Sequence, residues 1–336
     1  MEARAVYAVA KDTVELREFD VDESALEPDG VLVETLYTAI SPGTELDCVS
    51  GKESSWFHFP QQLGYCSVGK ITAAGDDVAD YAVGDVVLTG TSHANRHVVR
   101  ANEIRAKVPA GLDPKMAVWT HMANISITAL RAATAELGDA VVVLGQGLIG
   151  GFAAQLFRAQ GCRVIAVDRL SGRLEIAKKC GIEMTVDADK EDAVEAVKKL
   201  TDGRGAEIIV EATGSAAVAL GAIGMAAQNA EMILLGTPRG SCEADVAPLL
   251  RAVHRASPNL TMKGAHGSSL PPTGDQYRKH SVARNAAIVL QMMERGELKV
   301  EPLLTGLVTP EDAPQAYQQL RDEPEKMLGI TIDWTR

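Results

Sequence analysis

The sequence predicts an α/β protein in which a strand-rich region is followed by a doubly wound parallel sheet. Residues 31–40, 65–75 and 73–90 are short β-branched or alternating runs separated by glycine and aspartate. Such runs are typical of a compact, barrel-like all-β region. From residue 138 onwards, continuous apolar runs alternate with helical segments, which is the pattern of βαβ units that build a buried parallel sheet.

The strands predicted for the parallel sheet cover residues 140–145, 164–168, 184–188, 207–214 and 231–236, with helices between them. Further along the chain, a helix at 280–298 and a closing strand at 330–334 are expected to return to the strand-rich region. The predicted domains are therefore residues 1–125 together with 264–336, and residues 126–263 between them.

The composition excludes several classes of protein. The chain has 336 residues, and its 45 acidic against 33 basic side chains argue against a nucleic-acid-binding surface. Its five cysteines form no CxxC pair, which argues against a disulfide framework and favours a reducing, cytoplasmic setting. The N-terminal residues lack the pattern of a signal peptide, and the most apolar stretch, residues 214–236, is interrupted by polar side chains. We therefore expect no membrane association.

A glycine loop joins the first strand and helix of the parallel region. Gly145, Gly147 and Gly150 form a GxGxxG motif directly after an apolar strand, and Asp168 ends the next strand. Strand, loop, helix and acid together are the fingerprint of a dinucleotide-binding Rossmann domain. Gly145 allows the tight turn, Gly147 lets the backbone approach a pyrophosphate, and Gly150 lets helix and strand pack closely. The N–H groups at the start of the helix face the phosphates.

The residue types around this loop favour NAD over NADP. Asp168 can accept hydrogen bonds from both ribose hydroxyls of the adenosine and would repel a 2′-phosphate. Arg169 and Arg173 oppose this preference, because a nearby arginine can accommodate that phosphate. A flavin or a nucleotide-regulated binding module would need a similar loop, so the motif does not yet indicate a dehydrogenase. The other candidates for the cofactor site, at helix and strand ends, are Leu148, Ile149, Thr213, Gly214, Gly236 and Thr237.

Several segments resemble the medium-chain dehydrogenase/reductase superfamily, which includes zinc alcohol dehydrogenases and zinc-free quinone reductases. They are residues 83–87 (VGDVV), 138–150, 164–182, 210–214 (VEATG), 231–238 and 307–320. The resemblance implies a GroES-like β-rich catalytic domain interrupted in sequence by a Rossmann domain. It also implies that Arg173 lies beside the adenosine and His266 near the nicotinamide end. The segment ISPGTE (residues 40–45) resembles the corresponding segment of a zinc-less branch that includes bacteriochlorophyllide dehydrogenase-like proteins.

The positions of the superfamily's zinc ligands carry unsuitable side chains here. The resemblance places Pro42, Tyr65 and Asn124 where zinc members have cysteine, histidine and cysteine, and the four-cysteine structural lobe is absent. Proline has no donor, and tyrosine and asparagine are poor zinc ligands. We therefore expect no catalytic zinc. A rebuilt metal site from Glu45, Cys66 and a histidine stays open as an alternative.

Without zinc, side chains must both move the alcohol proton and stabilise the transition state. The resemblance places Thr44 and Asp47 at proton-relay positions, and Tyr65 where it could donate to a substrate oxygen. Tyr65 could equally be a packed aromatic. His93 and His121 are the preferred catalytic histidines by position. Candidates for the substrate cleft are Glu45, Trp56, His58 and Asn124, where Trp56 belongs to an aromatic cluster that is a cleft wall, a lid or part of the barrel core.

These observations predict an NAD-dependent, zinc-independent oxidoreductase that interconverts a secondary alcohol, such as a sugar, cyclitol or other polyol-like compound, and a ketone. Two alternatives stay open: a zinc-free quinone or enoyl-type reductase, and a catalytically silent NAD(H)-binding protein. The expected partners are a small-molecule substrate and further copies of the same chain. The resemblance implies a homodimer or homotetramer, because members of the superfamily commonly assemble through a sheet edge of the Rossmann domain.

Overall fold

The computed structural model of the protein describes residues 3–21, 26–53 and 55–336. It divides into two compact units, which are Met1–His121 with Pro272–Gly296 and Leu303–Arg336, and Met122–Pro271 with Glu297–Pro302. The expected class, a β-rich part and a doubly wound parallel part, is confirmed. The domain boundaries at residues 125 and 263 stay a prediction. Within the residue ranges given above, no helix is long and apolar enough to cross a membrane.

The first unit begins with short strands and two short helices. In chain order they are β1 (Ala3–Ala10), β2 (Thr13–Phe19), β3 (Gly30–Ala39), α1 (Pro42–Val49), β4 (Gln61–Gln62), β5 (Ser67–Ala74), β6 (Val86–Thr89), β7 (Arg96–Arg100), β8 (Ala106–Lys107) and α2 (Pro114–Ala117). β1 lies between β2 and β4 in a small sheet, and β3 pairs antiparallel with both β5 and β7. Inward-facing Val31, Val33, Ile71 and Val87 pack together, as alternating strands require.

The second unit begins within α3 (Thr120–Ala132) and then alternates strands with helices. Its elements are β9 (Ala140–Leu144), α4 (Leu148–Ala159), β10 (Arg163–Asp168), α5 (Ser171–Lys179), β11 (Met184–Asp187), α6 (Ala193–Leu200), β12 (Ala206–Glu211), α7 (Ala216–Gly221), β13 (Ala226–Leu234), α8 (Ala247–His254) and β14 (Thr261–Gly264). The sheet order is β11-β10-β9-β12-β13-β14, and every pairing is parallel. This is the Rossmann order, whose ligand crevice lies at the carboxyl ends of the strands. Pairing of subunits through a sheet edge stays a prediction.

Residues Pro272–Gly296 and Leu303–Arg336 belong to the first unit. They form α9 (Val282–Glu294), β15 (Leu304–Val308), α10 (Ala313–Asp322) and β16 (Gly329–Asp333). β16 pairs antiparallel with β3 and parallel with β15, which places it inside the larger sheet. Ile330 and Ile332 of β16 pack with Ile40, Val6 and Tyr317 in a buried cluster. The early and late segments of the chain therefore share one core.

Candidate active site

The glycine loop between β9 and α4 has the backbone shape that the motif predicts. Gly145 has a φ of +86° and donates its N–H to the Val167 carbonyl at 2.8 Å. A Cβ on Gly150 would lie 1.8 Å from the Gly145 carbonyl oxygen, whereas the space beside Gly147 is open. Gly147 is the N-cap of α4, and no described side chain caps that end. The N–H groups of the first turn can therefore bind an anion.

Asp168, the last residue of β10, is tied to this loop. Its Oδ2 accepts the Gln146 N–H at 2.6 Å and its Oδ1 accepts the Leu170 N–H at 2.9 Å. The Arg173 guanidinium Nη1 lies 4.0 Å from Oδ2, and Arg169 is exposed. Because each carboxylate oxygen has two lone pairs, the fixed carboxylate can still accept hydrogen bonds from two ribose hydroxyls.

Glu211, which the sequence analysis missed, organises the loop after β12. It is buried, and its Oε1 accepts the Thr213 N–H at 2.8 Å while its Oε2 accepts the Gly214 N–H at 3.0 Å. The Glu211 carbonyl accepts the Gly236 N–H at 2.7 Å, and a Cβ on Gly236 would lie 2.3 Å from the Gly214 nitrogen. The sequence did contain a signal for this role: Glu211 is an acidic residue directly after the apolar run of a buried strand. A carboxylate buried there needs several hydrogen-bond donors around it.

The remaining cofactor candidates lie at or beyond helix and strand ends. Leu148 is buried and Ile149 half-buried at the start of α4, and Thr237 is exposed beyond β13. His266 is also exposed, with its Nδ1 2.6 Å from the Ser268 hydroxyl. Their roles stay predictions.

In the first unit, Tyr65 lies in the turn before β5 and contacts the segment that leads into α1. Its hydroxyl donates to Ser41 Oγ at 2.5 Å and also takes part in a hydrogen bond with Thr44. Its ring meets His121 edge-on, with the ring centroids 5.1 Å apart. Burial is the largest cause that raises the pKa of the Tyr65 hydroxyl well above its usual value. Tyr65 is therefore a neutral hydrogen-bond donor at neutral pH.

Glu45 and His93 lie beneath Tyr65 in a fully buried polar cluster. Glu45 Oε1 accepts the Ser41 N–H at 2.7 Å, and its Oε2 lies 3.0 Å from His93 Nε2 and accepts the Tyr317 hydroxyl. The exposed fractions of Glu45 and His93 are 2% and 0%. Gly64 has a φ of +91°, and a Cβ there would lie 2.6 Å from the His93 ring. The cluster therefore holds the Ser41 end of α1, and the side chains of Glu45 and His93 are buried away from the protein surface.

His121, the other predicted catalytic histidine, contacts Arg105 as well as Tyr65. The Arg105 guanidinium Nη1 donates to His121 Nδ1 and lies 3.5 Å from the Tyr65 carbonyl oxygen. Burial, followed by the positive charge of Arg105, lowers the pKa of His121 to about 3. His121 is thus neutral at pH 7, and because its Nδ1 accepts a hydrogen bond, its proton lies on Nε2. A neutral imidazole of this kind donates a hydrogen bond but does not titrate near neutral pH.

Four other predicted site residues lie on α1, on α3 and in the loop before β4. Asp47 lies half-buried in α1, and its carbonyl accepts the Ser50 hydroxyl at 3.1 Å. Asn124 is buried in α3 with 7% exposure. Trp56 is 52% exposed and His58 is exposed, although Trp56 packs edge-on against the buried Phe57. The predicted cleft-wall role of Trp56 and His58 stays a prediction.

The donor set at the superfamily's zinc positions does not fit a zinc ion. Pro42 is the first residue of α1 and offers no donor atom, and the Tyr65 hydroxyl is bound to Ser41. Cys66 is completely buried, and burial raises the pKa of its thiol, which opposes the thiolate that zinc requires. Within residues 3–21, 26–53 and 55–336, no three His, Cys, Asp or Glu side chains form a group that could hold a metal. The set Glu45, Cys66 and a histidine is therefore not assembled.

Comparison with known proteins decides the family. Residues 149–273 match the family model of zinc-binding dehydrogenases. The chain is 30% identical to D-guloside 3-dehydrogenase of Shigella flexneri over 277 residues, which cover 81% of this chain and 77% of the relative. The chain belongs to the medium-chain dehydrogenase/reductase superfamily. It is accordingly an oxidoreductase of the alcohol dehydrogenase type.

Solved structures of this superfamily have the same fold. Galactitol-1-phosphate dehydrogenase of Escherichia coli superposes with a TM-score of 0.84 at 19% identity, over 98% of this chain and 99% of the other. A Sinorhizobium meliloti 1021 structure bound to NADP superposes with a TM-score of 0.83 at 19% identity, over 99% of both chains. The GroES-like and Rossmann assignments of this dehydrogenase are thereby confirmed. Preference between NAD and NADP and independence from zinc belong to the proposal below.

Proposed function

We propose that this dehydrogenase uses NAD and no zinc to interconvert a secondary alcohol and the corresponding ketone. The observation that carries the proposal is Tyr65. A phenol that stays protonated occupies the position of a zinc-ligating histidine, and it is held by Ser41 and Thr44. The proposal is further supported by the glycine loop and Asp168, which fit the two phosphates and the ribose of a dinucleotide.

The residues that would hold NAD belong to the second unit. The α4 N-terminus with Gly147 would bind the pyrophosphate, and Asp168 the adenosine ribose. Glu211 fixes the loop at Thr213 and Gly214 at the carboxyl edge of the sheet, where the cofactor crevice of this fold lies. When bound, NAD supplies the chemistry of hydride acceptance.

The first unit supplies the proton chemistry. The Tyr65 hydroxyl proton, which Ser41 Oγ accepts here, turns to the substrate oxygen when substrate binds, and this stabilises the negative charge that develops as the alcohol loses its proton. Ser41 and Thr44 orient the phenol, and Thr44 with Asp47 forms the proposed path for the proton. His121, neutral at pH 7, packs against the Tyr65 ring and presents its Nε2–H as a second donor. A fixed pair of neutral donors thus replaces the metal as the electrophile.

The proposal is tested by metal analysis and turnover on the same preparation. We expect less than about one zinc ion per ten chains by elemental analysis, and NAD reduction at 340 nm with a panel of polyols and sugar glycosides that survives chelator treatment. Removing one preorganised donor costs about 100- to 1,000-fold in turnover, so Tyr65→Phe should fall in that range. Tyr7→Phe is the matched control, because Tyr7 hydrogen-bonds Gln62 rather than Ser41. Stoichiometric zinc, or full turnover of Tyr65→Phe, would refute the proposal.

Cofactor preference should depend on Asp168. We expect wild-type protein to bind NADH more tightly than NADPH, and Asp168→Asn to shift the ratio of the two dissociation constants by about tenfold or more towards NADPH. A charge-assisted hydrogen bond contributes about 1.5–3 kcal/mol, and the variant loses it together with the repulsion of a 2′-phosphate. Fluorescence titration with both nucleotides measures the ratio. Asp187→Asn, at the end of the neighbouring strand β11 and in register with Asp168, is the control and should leave it unchanged. Tighter binding of NADPH by wild-type protein would contradict the assignment.

A further inference from the structure

Arg105 is a rigidly placed cation in the first unit that the mechanism above does not use. Its backbone N–H donates to the Leu88 carbonyl at 2.9 Å, directly before β8 pairs with β6. A Cβ on Gly90 would lie only 2.2 Å from the Arg105 Nη2 atom. The absence of a side chain at position 90 thus makes room for the guanidinium, which is half-buried.

The groups around this guanidinium carry no negative charge at neutral pH. Its neighbours are His121, Tyr65 and Cys66. Burial lowers the pKa of His121 and raises the pKa of both the Tyr65 hydroxyl and the Cys66 thiol, so all three are uncharged at pH 7. Burial also lowers the pKa of Arg105 itself, but an arginine stays protonated under these conditions.

No carboxylate of the described chain compensates this charge by direct contact. Within the part of the chain that the structure describes, no Asp or Glu oxygen lies within 4.0 Å of the Arg105 guanidinium. Glu45 acts electrostatically on Tyr65 and Cys66, but its own oxygens accept hydrogen bonds from Ser41 and Tyr317 and contact His93. A partly desolvated cation without a paired anion is unfavourable in a protein interior, so the arrangement is suited to an anion that arrives with a ligand.

We propose that Arg105 binds an oxyanion carried by the substrate, so that the alcohol oxidised at this site bears a carboxylate or a phosphate. The guanidinium fork matches the geometry of both groups and can bind either through two parallel N–H donors. The Nη1 group is engaged by His121 and the Tyr65 carbonyl, and within the described chain this leaves the Nε–H and Nη2–H donors for the ligand. The Nε2–H of His121 is a second donor beside the fork. This inference rests on the proposed function, because the anion is assigned to the alcohol substrate.

Arg105 would then determine specificity rather than take part in hydride transfer. Tyr65 and His121 contact Arg105, so an anionic group held there lies beside the donors that act on the substrate oxygen. Hydroxy acids and phosphorylated polyols are substrates of this chemistry. Neutral polyols would leave the charge unpaired and should bind more weakly, since unpaired buried groups are a strong source of discrimination.

Binding of simple anions tests the inference without turnover. Oxalate and inorganic phosphate are titrated into the full-length protein by calorimetry, with and without NADH. We expect millimolar or tighter binding of at least one, and the anion that binds identifies the carboxylate or phosphate class. Loss of charge-assisted hydrogen bonds should weaken that binding about 10- to 100-fold in Arg105→Gln. Arg105→Lys, which keeps the charge but not the fork, should be intermediate, and Arg100→Gln, an exposed arginine at the end of β7, should bind like wild type.

Two outcomes overturn the inference: wild-type protein that binds neither anion, or Arg105→Gln that binds as tightly as wild type. Should Arg105→Gln fail to fold, the imidazole NMR signal of His121 in wild-type protein, assigned with His121→Asn, gives the answer. Its shift during anion titration supports the inference and its constancy refutes it. NADH affinity is measured in the same samples. A protein that binds NADH but no anion would leave the proposed function intact and refute only the assignment of Arg105.

Discussion

Glu45→Ala should lower the free energy of unfolding of the first unit by about 3–5 kcal/mol, the usual cost of breaking a buried charge cluster by removing one partner. The carboxylate binds the Ser41 N–H, contacts His93 Nε2 and accepts the Tyr317 hydroxyl. Removal leaves all three groups buried without this partner, and His93 already has an unsatisfied Nδ1. Tyr317→Phe removes one hydrogen bond to a charged group and should cost about 1.5–3 kcal/mol.

Tryptophan fluorescence during urea unfolding measures this change selectively. All three tryptophans, Trp56, Trp119 and Trp334, lie in the first unit. Glu325→Ala is the matched control, because Glu325 is exposed between α10 and β16, and exposed substitutions usually stay within about 0.5 kcal/mol of wild type. A loss below about 1 kcal/mol in Glu45→Ala would show that the cluster does not hold the Ser41 end of α1.

Gly150→Ala should abolish tight NADH binding, with at least about a 100-fold loss of affinity, and should destabilise the second unit by about 1–3 kcal/mol, as overpacking does. The added Cβ would lie 1.8 Å from the Gly145 carbonyl oxygen. Gly145 cannot move away easily, because its φ is +86° and its N–H is bound to Val167. The α4 N-terminus would therefore be pushed out of the position in which it receives the phosphates.

Fluorescence titration with NADH gives the affinity of Gly150→Ala, and circular dichroism during thermal unfolding gives its stability. Gly221→Ala is the matched control, since Gly221 ends α7 and a Cβ there meets nothing within 4 Å. Alanine is the better helix former by about 1 kcal/mol, so this variant should be as stable as wild type or more so. Unchanged NADH affinity in Gly150→Ala would contradict the role of the loop.

Local signals predicted the second unit well. Strand, glycine loop, helix and Asp168 are close in sequence, and each follows from backbone sterics and helix capping. The Rossmann strand order follows from the repeated βαβ connection, which is right-handed and short. Glu211 was missed because a buried acid at a strand end has no distinctive spacing, although its function is equally local.

The first unit was harder, because its site joins residues distant in sequence. The Tyr317 hydroxyl binds Glu45 from 272 residues away, and no periodic pattern records such a contact. Sequence position brought Tyr65, His93 and His121 into consideration but could not show that His93 is completely buried. Arg105 was overlooked for the same reason. An arginine before a short strand has no distinctive sequence pattern, and only the structure shows that the side chains around it are uncharged.

The position of β16 inside the larger sheet has a consequence for synthesis of the chain. The Trp334 indole donates to Thr38 across 296 residues of sequence, and β16 lies between β3 and β15. In a nascent chain, all strands of the dinucleotide-binding sheet therefore leave the ribosome before β16 can complete the larger sheet of the first unit. During that interval residues 37–39 of β3, which pair with β16, lack their partner strand, and unpaired strand edges are sites of aggregation. The order of translation thus leaves the unit that carries Tyr65 incomplete until β16 has been made.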